Sequence, residues 1–346
     1  MANAYETLAV ERSGRIATIW MNRPEVFNAF NEQLITDLHQ ACVELDGDAS
    51  VRVVVLAGRG KHFSAGADLN WMKRASTYGE DENLADARRF AGMLRALSDM
   101  SKPTIARVQG AALGGGTGLA AACDMAVATD DASFSTSEVK FGIIPAVISP
   151  FVLRAIGPRH ALRLFQSAER VDAARALAMG LVGEVVSAEQ LDAAVARLAE
   201  TLVAGAPDAQ KAAKDLISAV NGRPIDDTVS EETARRIARR RATAEARDGM
   251  AGRGLDGVIE QGLRIYHAAR REVRNAVAVG SSDGRHAGQQ LFNSVQSCRS
   301  PRGMKMLDAL GDYFRFMHNR SPLRPQAQPP APPSQPSPGT VAHRQE

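Results

Sequence analysis

The chain is short of cysteine, aromatic residues and net charge of one sign, and each shortage excludes something. Its three cysteines, Cys42, Cys123 and Cys298, lie far apart in 346 residues. They form neither a Cys-x-x-Cys pair nor a Cys/His ligand spacing, which argues against a disulfide framework and a zinc site and fits a reducing compartment. Aromatic residues make up 5% of the chain and the formal net charge is only +3. That surplus is confined to one end: residues 251–346 hold 13 Lys and Arg against 7 Asp and Glu, so the first 250 residues are slightly acidic. No basic face interleaved with aromatics is present, and no nucleic-acid partner is expected. No apolar run approaches membrane-spanning length, and no basic stretch followed by an apolar one opens the chain. The expectation is a cytoplasmic protein with no membrane partner.

What is present is an α/β pattern. Residues 16–21 and 51–57 are short runs rich in β-branched residues, each closed by turn chemistry, Asn22-Arg23-Pro24 and Gly58-Arg59-Gly60. Between them, residues 30–45 place Leu34, Leu38, Ala41 and Leu45 at helical spacing, so a strand, helix, strand unit with a parallel pair is expected. Residues 84–100 read as a second helix, 104–108 as a strand, 119–123 as the start of a helix and 124–129 as another strand. Residues 158–250 read as almost wholly helical: Asp172 caps a helix ending at Gly180, Pro207 opens another, and residues 228–247 form a highly charged one. Past residue 250 the character changes. Residues 258–277 and 304–317 are short amphipathic pieces, and residues 322–338 hold half of the 16 prolines, a composition that predicts disorder.

Two glycine-centred stretches carry the chemistry. His62-Phe63-Ser64-Ala65-Gly66-Ala67-Asp68 and Gly110-Ala111-Ala112-Leu113-Gly114-Gly115-Gly116 each follow an apolar strand-like run and precede a helical pattern. Each can therefore direct unpaired N–H groups at an anionic oxygen. A glycine triplet alone also suits a tight strand-to-helix turn; two such stretches at similar strand ends favour an oxyanion hole. His62 reads as a turn residue, and Trp71 and Met72 fit either a core or a ligand channel.

FSAGADL at 63–69, GAALGGGTGLAAACD at 110–124 and FSTSEVKFGIIP at 134–145 resemble the crotonase (enoyl-CoA hydratase/isomerase) superfamily, from near residue 5 to about 250. The resemblance implies an α/β fold with a ββα spiral core over residues 1–195 and a helical C-terminal trimerisation region over 196–250. Residues 251–320 are then an extension of uncertain role and 321–346 a disordered Pro-rich tail. It also implies a homotrimer or hexamer and an acyl-CoA substrate, with coenzyme A entering as part of that substrate and no cofactor required. Carried over by position, Ala67 and Gly115 donate the two oxyanion N–H groups. Ala65, Ala67, Asp68, Leu69, Gly115 and Gly118 contact the CoA or acyl group, and Glu138 is the catalytic acid–base.

At Gly118 the chain departs from many hydratases, which carry a first glutamate there. One carboxylate suits proton shuttling between carbons, so a Δ3,Δ2-enoyl-CoA isomerase is an alternative to a hydratase. A catalytically silent CoA-binding subunit is a third. ADLNWMKR at 67–74 and SEVKFGIIPAVISP at 137–150 resemble bacterial methylglutaconyl-CoA hydratases of leucine degradation, which also have glycine at the first-glutamate position. A distal carboxylate on such a substrate calls for a cation, with Lys73, Arg74, Lys140 and Arg154 as candidates.

Overall fold

The computed structural model describes residues 5–253. Cys298, the two amphipathic pieces, the Pro-rich tail and the extension from residue 254 onward lie outside the described residues. Strands β1 (Leu8–Ser13) and β2 (Ile16–Met21) form an antiparallel hairpin that turns at Gly14 with φ +57°. Helix α1 (Glu32–Gly47) follows, opened by Asn31, whose side chain accepts the Leu34 amide at 2.9 Å. Its buried face of Leu34, Leu38, Ala41 and Leu45 has the spacing expected of an amphipathic helix.

Strand β3 (Val53–Gly58) runs parallel to β2 and is buried along its whole length. A strand covered on both faces reads as a continuous apolar run, which is why Val53-Val54-Val55-Leu56-Ala57 shows no alternation. Helices α2 (Leu69–Ala75) and α3 (Glu80–Ser98) precede β4 (Thr104–Val108). Next come β5 (Ala111–Leu113), α4 (Gly115–Ala122), β6 (Met125–Thr129), β7 (Ser133–Ser135) and α5 (Ser149–Ser167). The remainder is β8 (Val171–Asp172), α6 (Ala173–Met179), β9 (Glu184–Val186), α7 (Leu191–Val203), α8 (Pro207–Val220), α9 (Asp227–Arg241) and α10 (Ala244–Asp248).

The strands form two sheets. One has the order β1-β2-β3-β4-β6-β9, parallel from β2 onward, and the other the order β5-β7-β8. Successive β-β-α units contribute to both sheets, since β4 and β6 enter the large sheet while β5 and β7, which follow them, enter the small one. Side chains on the two faces of the large sheet belong to separate cores. Val53, Val55, Ile105 and Val127 pack on Leu191, Ala194, Val195 and Ala199 of α7. Val54, Leu56, Ala106 and Ala126 join the main core with α1, α3 and α4. Each fully buried Val or Leu of this kind contributes about 1.5–3 kcal/mol.

Three expectations are corrected. The span 158–250 is not wholly helical, because β8 and β9 lie within it, and α5 begins at Ser149 and passes Pro158 with a break at Gly157, φ +72°. The helix expected from 119 starts at Gly115, so the glycine run supplies its first turn. The charged helix of 228–247 is two helices, α9 and α10, separated at Ala242 and Thr243. Helix α7 spans residues on both sides of position 195. No described helix is long and apolar enough to cross a membrane.

Candidate active site

Three parallel segments bring the expected residues together. Ser64 bridges Ala112 of β5 in parallel, with the Ser64 amide donating to Ala111 O at 3.1 Å and the Leu113 amide to Ser64 O at 2.9 Å. Strand β7 lies parallel to β5, and the Gly114 amide donates to Ser135 O at 2.7 Å. Thr117 locks this pair, its hydroxyl donating to Ala112 O at 2.7 Å and Ser135 O at 3.0 Å. All three segments run the same way, so their carboxyl ends emerge side by side, where α/β folds present ligand sites. Those ends are Ala65 to Asp68, Gly114 to Gly118, and Glu138.

The two turns need glycine where they touch. Gly114 has φ +50°, and a Cβ there would sit 3.3 Å from Glu138 Oε1 and 4.0 Å from the Cα of Gly66. Gly66 has φ +88°, and its Cβ would lie 2.7 Å from Leu113 O. The two glycine stretches and the glutamate thus meet at one point.

Two amides are left over there. The Phe30 amide donates to Gly66 O at 2.7 Å and the Asp68 amide to Phe30 O at 2.8 Å, so the Ala67 amide between them is directed away from that ladder. Gly115 is the first residue of α4, where an amide has no intrahelical acceptor and the helix dipole favours negative charge.

Glu138 opens a 3₁₀ turn, Glu138–Phe141, directly after β7. Its Oε2 is buried and has no hydrogen-bond partner. Burial raises its pKa above the usual glutamate value, against a weaker opposing pull from its own main-chain amide. A carboxyl group in this state is suited to exchanging a proton with a substrate.

Gly118 is more than a position without a carboxylate. It is buried, and a Cβ there would collide with Cγ2 of Ile148 and lie 2.8 Å from its Cβ. Ile148 is itself 1% exposed, so the volume of a first glutamate is occupied by a core side chain.

Around this centre, His62 Nδ1 accepts the Ala111 amide at 3.0 Å and braces one glycine stretch against the other. Asp68 is only 8% exposed; its carboxylate accepts the Asn70 amide at 2.8 Å, capping α2, and pairs with Arg23 at 3.2 Å. Burial works to raise its pKa, but the amides of Asn70 and Trp71 and the Arg23 guanidinium outweigh it and hold the carboxyl below its usual range. The Asp68 carboxylate is thus engaged within the protein. Ala67 and Leu69 are exposed beside it, Leu69 at 70%, and Ala65 is half-buried with its amide donating to Phe27 O at 2.9 Å.

Residues 11–252 match the Enoyl-CoA hydratase/isomerase family. The chain belongs to that family. It is similar to a short-chain-enoyl-CoA hydratase of Clostridium acetobutylicum, 34% identical over 230 residues, covering 65% of this chain and 85% of the relative. It is also similar to a 4-chlorobenzoyl coenzyme A dehalogenase of Arthrobacter, 32% identical over 240 residues, covering 68% and 87%. Among solved structures, an enoyl-CoA hydratase from Shewanella pealeana superposes with a TM-score of 0.70 at 37% identity, covering 75% of this chain and 95% of that one. The family's α/β crotonase fold is therefore the fold of residues 5–253.

Within this enoyl-CoA hydratase/isomerase fold, Trp71, open to a core or a channel reading from sequence, is joined by Phe30 and Phe90, which the sequence did not mark. A Cβ on Gly115 would meet Phe30 Cε2 at 2.8 Å and Phe90 Cζ at 3.0 Å. The Phe30 and Phe90 ring centroids are 5.5 Å apart, and Trp71 stands edge-on to Phe90 at 6.4 Å. No local pattern marks Phe30 or Phe90, because they meet only through tertiary packing. Of the four candidate cations, Arg74 is held by both carboxylate oxygens of Glu32 and Arg154 donates to Ser98 Oγ at 3.1 Å. Lys73 and Lys140 are exposed.

Proposed function

We propose that this protein adds water across the 2,3 double bond of an enoyl-CoA, and that its acyl group is of the branched glutaconyl type, as in methylglutaconyl-CoA. One observation carries the reading: the buried, unpartnered Oε2 of Glu138 beside Gly114, at the meeting point of the two glycine stretches. Water adds at C3, its proton passes to Glu138, and Glu138 hands that proton on to C2. The Ala67 and Gly115 amides hold the thioester oxygen as negative charge develops on it. Removing one such donor typically costs about 3–4 kcal/mol of transition-state stabilisation. Ala65, Asp68 and Leu69 line the approach of the CoA moiety. The acyl assignment is supported by the sequence texture of residues 67–74 and 137–150 and by glycine at 118.

The single carboxylate favours one competing reading, a Δ3,Δ2-enoyl-CoA isomerase in which Glu138 moves a proton between carbons. Incubation with a 2-enoyl-CoA and with a 3-enoyl-CoA separates the two. Loss of absorbance of the conjugated thioester means hydration, and its appearance from the 3-enoyl substrate without further loss overturns the hydratase reading. Tight acyl-CoA binding with no turnover of either would identify a silent subunit instead. The proposal also takes the enzyme as a cytoplasmic homotrimer or hexamer. Exposed Ile217, Ile225 and Ile237 support assembly, and light scattering on the purified chain tests it.

A further inference from the structure

Among the described residues, three buried side-chain polar atoms have no hydrogen-bond partner: Glu138 Oε2, Thr136 Oγ1 and Trp71 Nε1. A buried donor without an acceptor is uncommon, because its lost hydration is not compensated. Glu138 is explained by its chemistry, and a hydroxyl such as that of Thr136 can rotate. An indole N–H points one way only and can only donate. The chain's other tryptophan shows the ordinary arrangement: Trp20 Nε1 donates to Glu11 Oε2 at 2.9 Å.

The place of Trp71 gives its unpaired donor a direction. Gly115, one of the two oxyanion donors, lies against Phe30 and Phe90, and Phe90 lies against Trp71 with the rings at 90°. Gly115, Phe30, Phe90 and Trp71 thus form a continuous run of contacts, with Trp71 at the end opposite Gly115. The helix bearing Trp71 is anchored to the same turn, because Asp68 caps it and accepts the Trp71 amide at 3.4 Å. Of the two candidate arginines, Arg74 is ion-paired with Glu32, and Arg154 donates to Ser98 Oγ.

We propose that Trp71 Nε1–H is a specificity-determining donor to an oxygen carried at the distal end of the acyl group. In the glutaconyl-type reading, on which this inference rests, that oxygen belongs to the distal carboxylate. The donor selects acyl chains that end in an acceptor over plain hydrocarbon chains of equal length, which would bury the N–H unpaired.

The chain holds two tryptophans, so ¹⁵N labelling of the indoles in the full-length protein gives two Nε1–H signals. Trp71→Phe assigns them, and Trp20→Phe gives the same assignment should the first variant fold poorly. Titration uses two saturated thioesters that cannot be hydrated, glutaryl-CoA and valeryl-CoA. The expected result is a downfield movement of the Trp71 signal with glutaryl-CoA alone, the Trp20 signal staying in place. In kinetics, the ratio of kcat/KM for glutaconyl-CoA to that for 2-pentenoyl-CoA should fall by about tenfold or more in Trp71→Phe, the scale of a hydrogen bond to a charged group. If both thioesters bind and move the signal equally, the donor meets the shared pantetheine, and if neither moves it, Trp71 only packs. Either result overturns this inference and leaves the hydratase reading standing. Failure of both thioesters to bind overturns the two together.

Discussion

The two turns proposed to present the oxyanion amides are built in opposite ways. The turn at 65–69 is made with side chains: Asp68 caps α2 and pairs with Arg23, while Ala67 and Leu69 are left exposed. The turn at 114–118 is made by omitting them. Gly114, Gly115, Gly116 and Gly118 are all buried, and a Cβ on any of them would press on Glu138, Phe30, Ser64 or Ile148. In the proposed mechanism the exposed turn adapts to a long ligand, whereas the buried turn fixes the reacting atoms. Function should accordingly be most sensitive at the buried turn and affinity most sensitive at the exposed one.

The strongest attempt to break this contrast is Glu138→Gln, at the residue that rests on Gly114. It should lower kcat by about 10²- to 10⁴-fold with little change in KM. Because Glu138 must be ionised to accept a proton from water, kcat/KM of the wild type should rise with pH through a midpoint above the ordinary glutamate value. The stability sign is opposite. A pKa raised in the folded state means stability that is present at low pH and lost as pH rises through that value, so Glu138→Gln should gain stability over wild type at neutral pH and not at acid pH. Hydration retained in Glu138→Gln would end the proposed mechanism.

A second perturbation inserts what the buried turn omits. Gly118→Glu should destabilise the fold by about 1–3 kcal/mol or more through overpacking on Ile148, with a further penalty for a buried carboxylate, and should not raise hydration. Ile148→Ala opens a cavity and is itself destabilising. The double variant should lose less than the sum of the two, since each change relieves the other. Strict additivity in urea unfolding would show that Ile148 does not fill the space beside residue 118.

Much of this contrast was legible in the sequence, and its limits have physical causes. The β/α alternation, the Asp172 cap with Gly180 closing α6, the Pro207 start of α8 and both glycine stretches are local signals, and they appear where expected. The small sheet was not legible, because Ala111–Leu113 and Ser133–Ser135 are three-residue strands without enough length for a period to show. β1 and β9 escaped as well. The occupant of the missing-glutamate position was invisible for another reason: Ile148 reaches Gly118 from the loop before α5, a contact that sequence spacing does not encode. The same holds for the packing of Phe30 and Phe90 against Gly115 and Trp71.

At the exposed turn the expected effects shrink. Asp68→Ala removes the α2 cap and leaves Arg23 without its partner, a loss of about 1–2 kcal/mol. The pKa of Asp68 is depressed in the folded state, so its contribution is present at neutral pH and lost as pH falls through that lowered value. Its kinetic signature should be a raised KM for the CoA thioester with kcat changed less. A collapse of kcat comparable to that of Glu138→Gln would mean that the two turns do not divide the work.

The smallest effect tests the brace between the turns. His62 accepts the Ala111 amide through Nδ1, which requires the neutral ring. Burial, followed by the charges of Lys61 and Arg170, lowers its pKa below the usual 6.5. A histidine held neutral in the fold stabilises fully above the unfolded value. Below it the unfolded chain takes up a proton that the fold resists, so stability falls with pH until the lowered folded value is passed. His62→Gln keeps an acceptor without a titration, and so the Tm difference between wild type and His62→Gln should move against the wild type as pH drops through that window. The change is bounded by one neutral hydrogen bond, about 0.5–1.5 kcal/mol. A Tm difference independent of pH would show that the ring's charge state does not bear on the brace, leaving the parallel bridge between Ser64 and Ala112 to join the two turns.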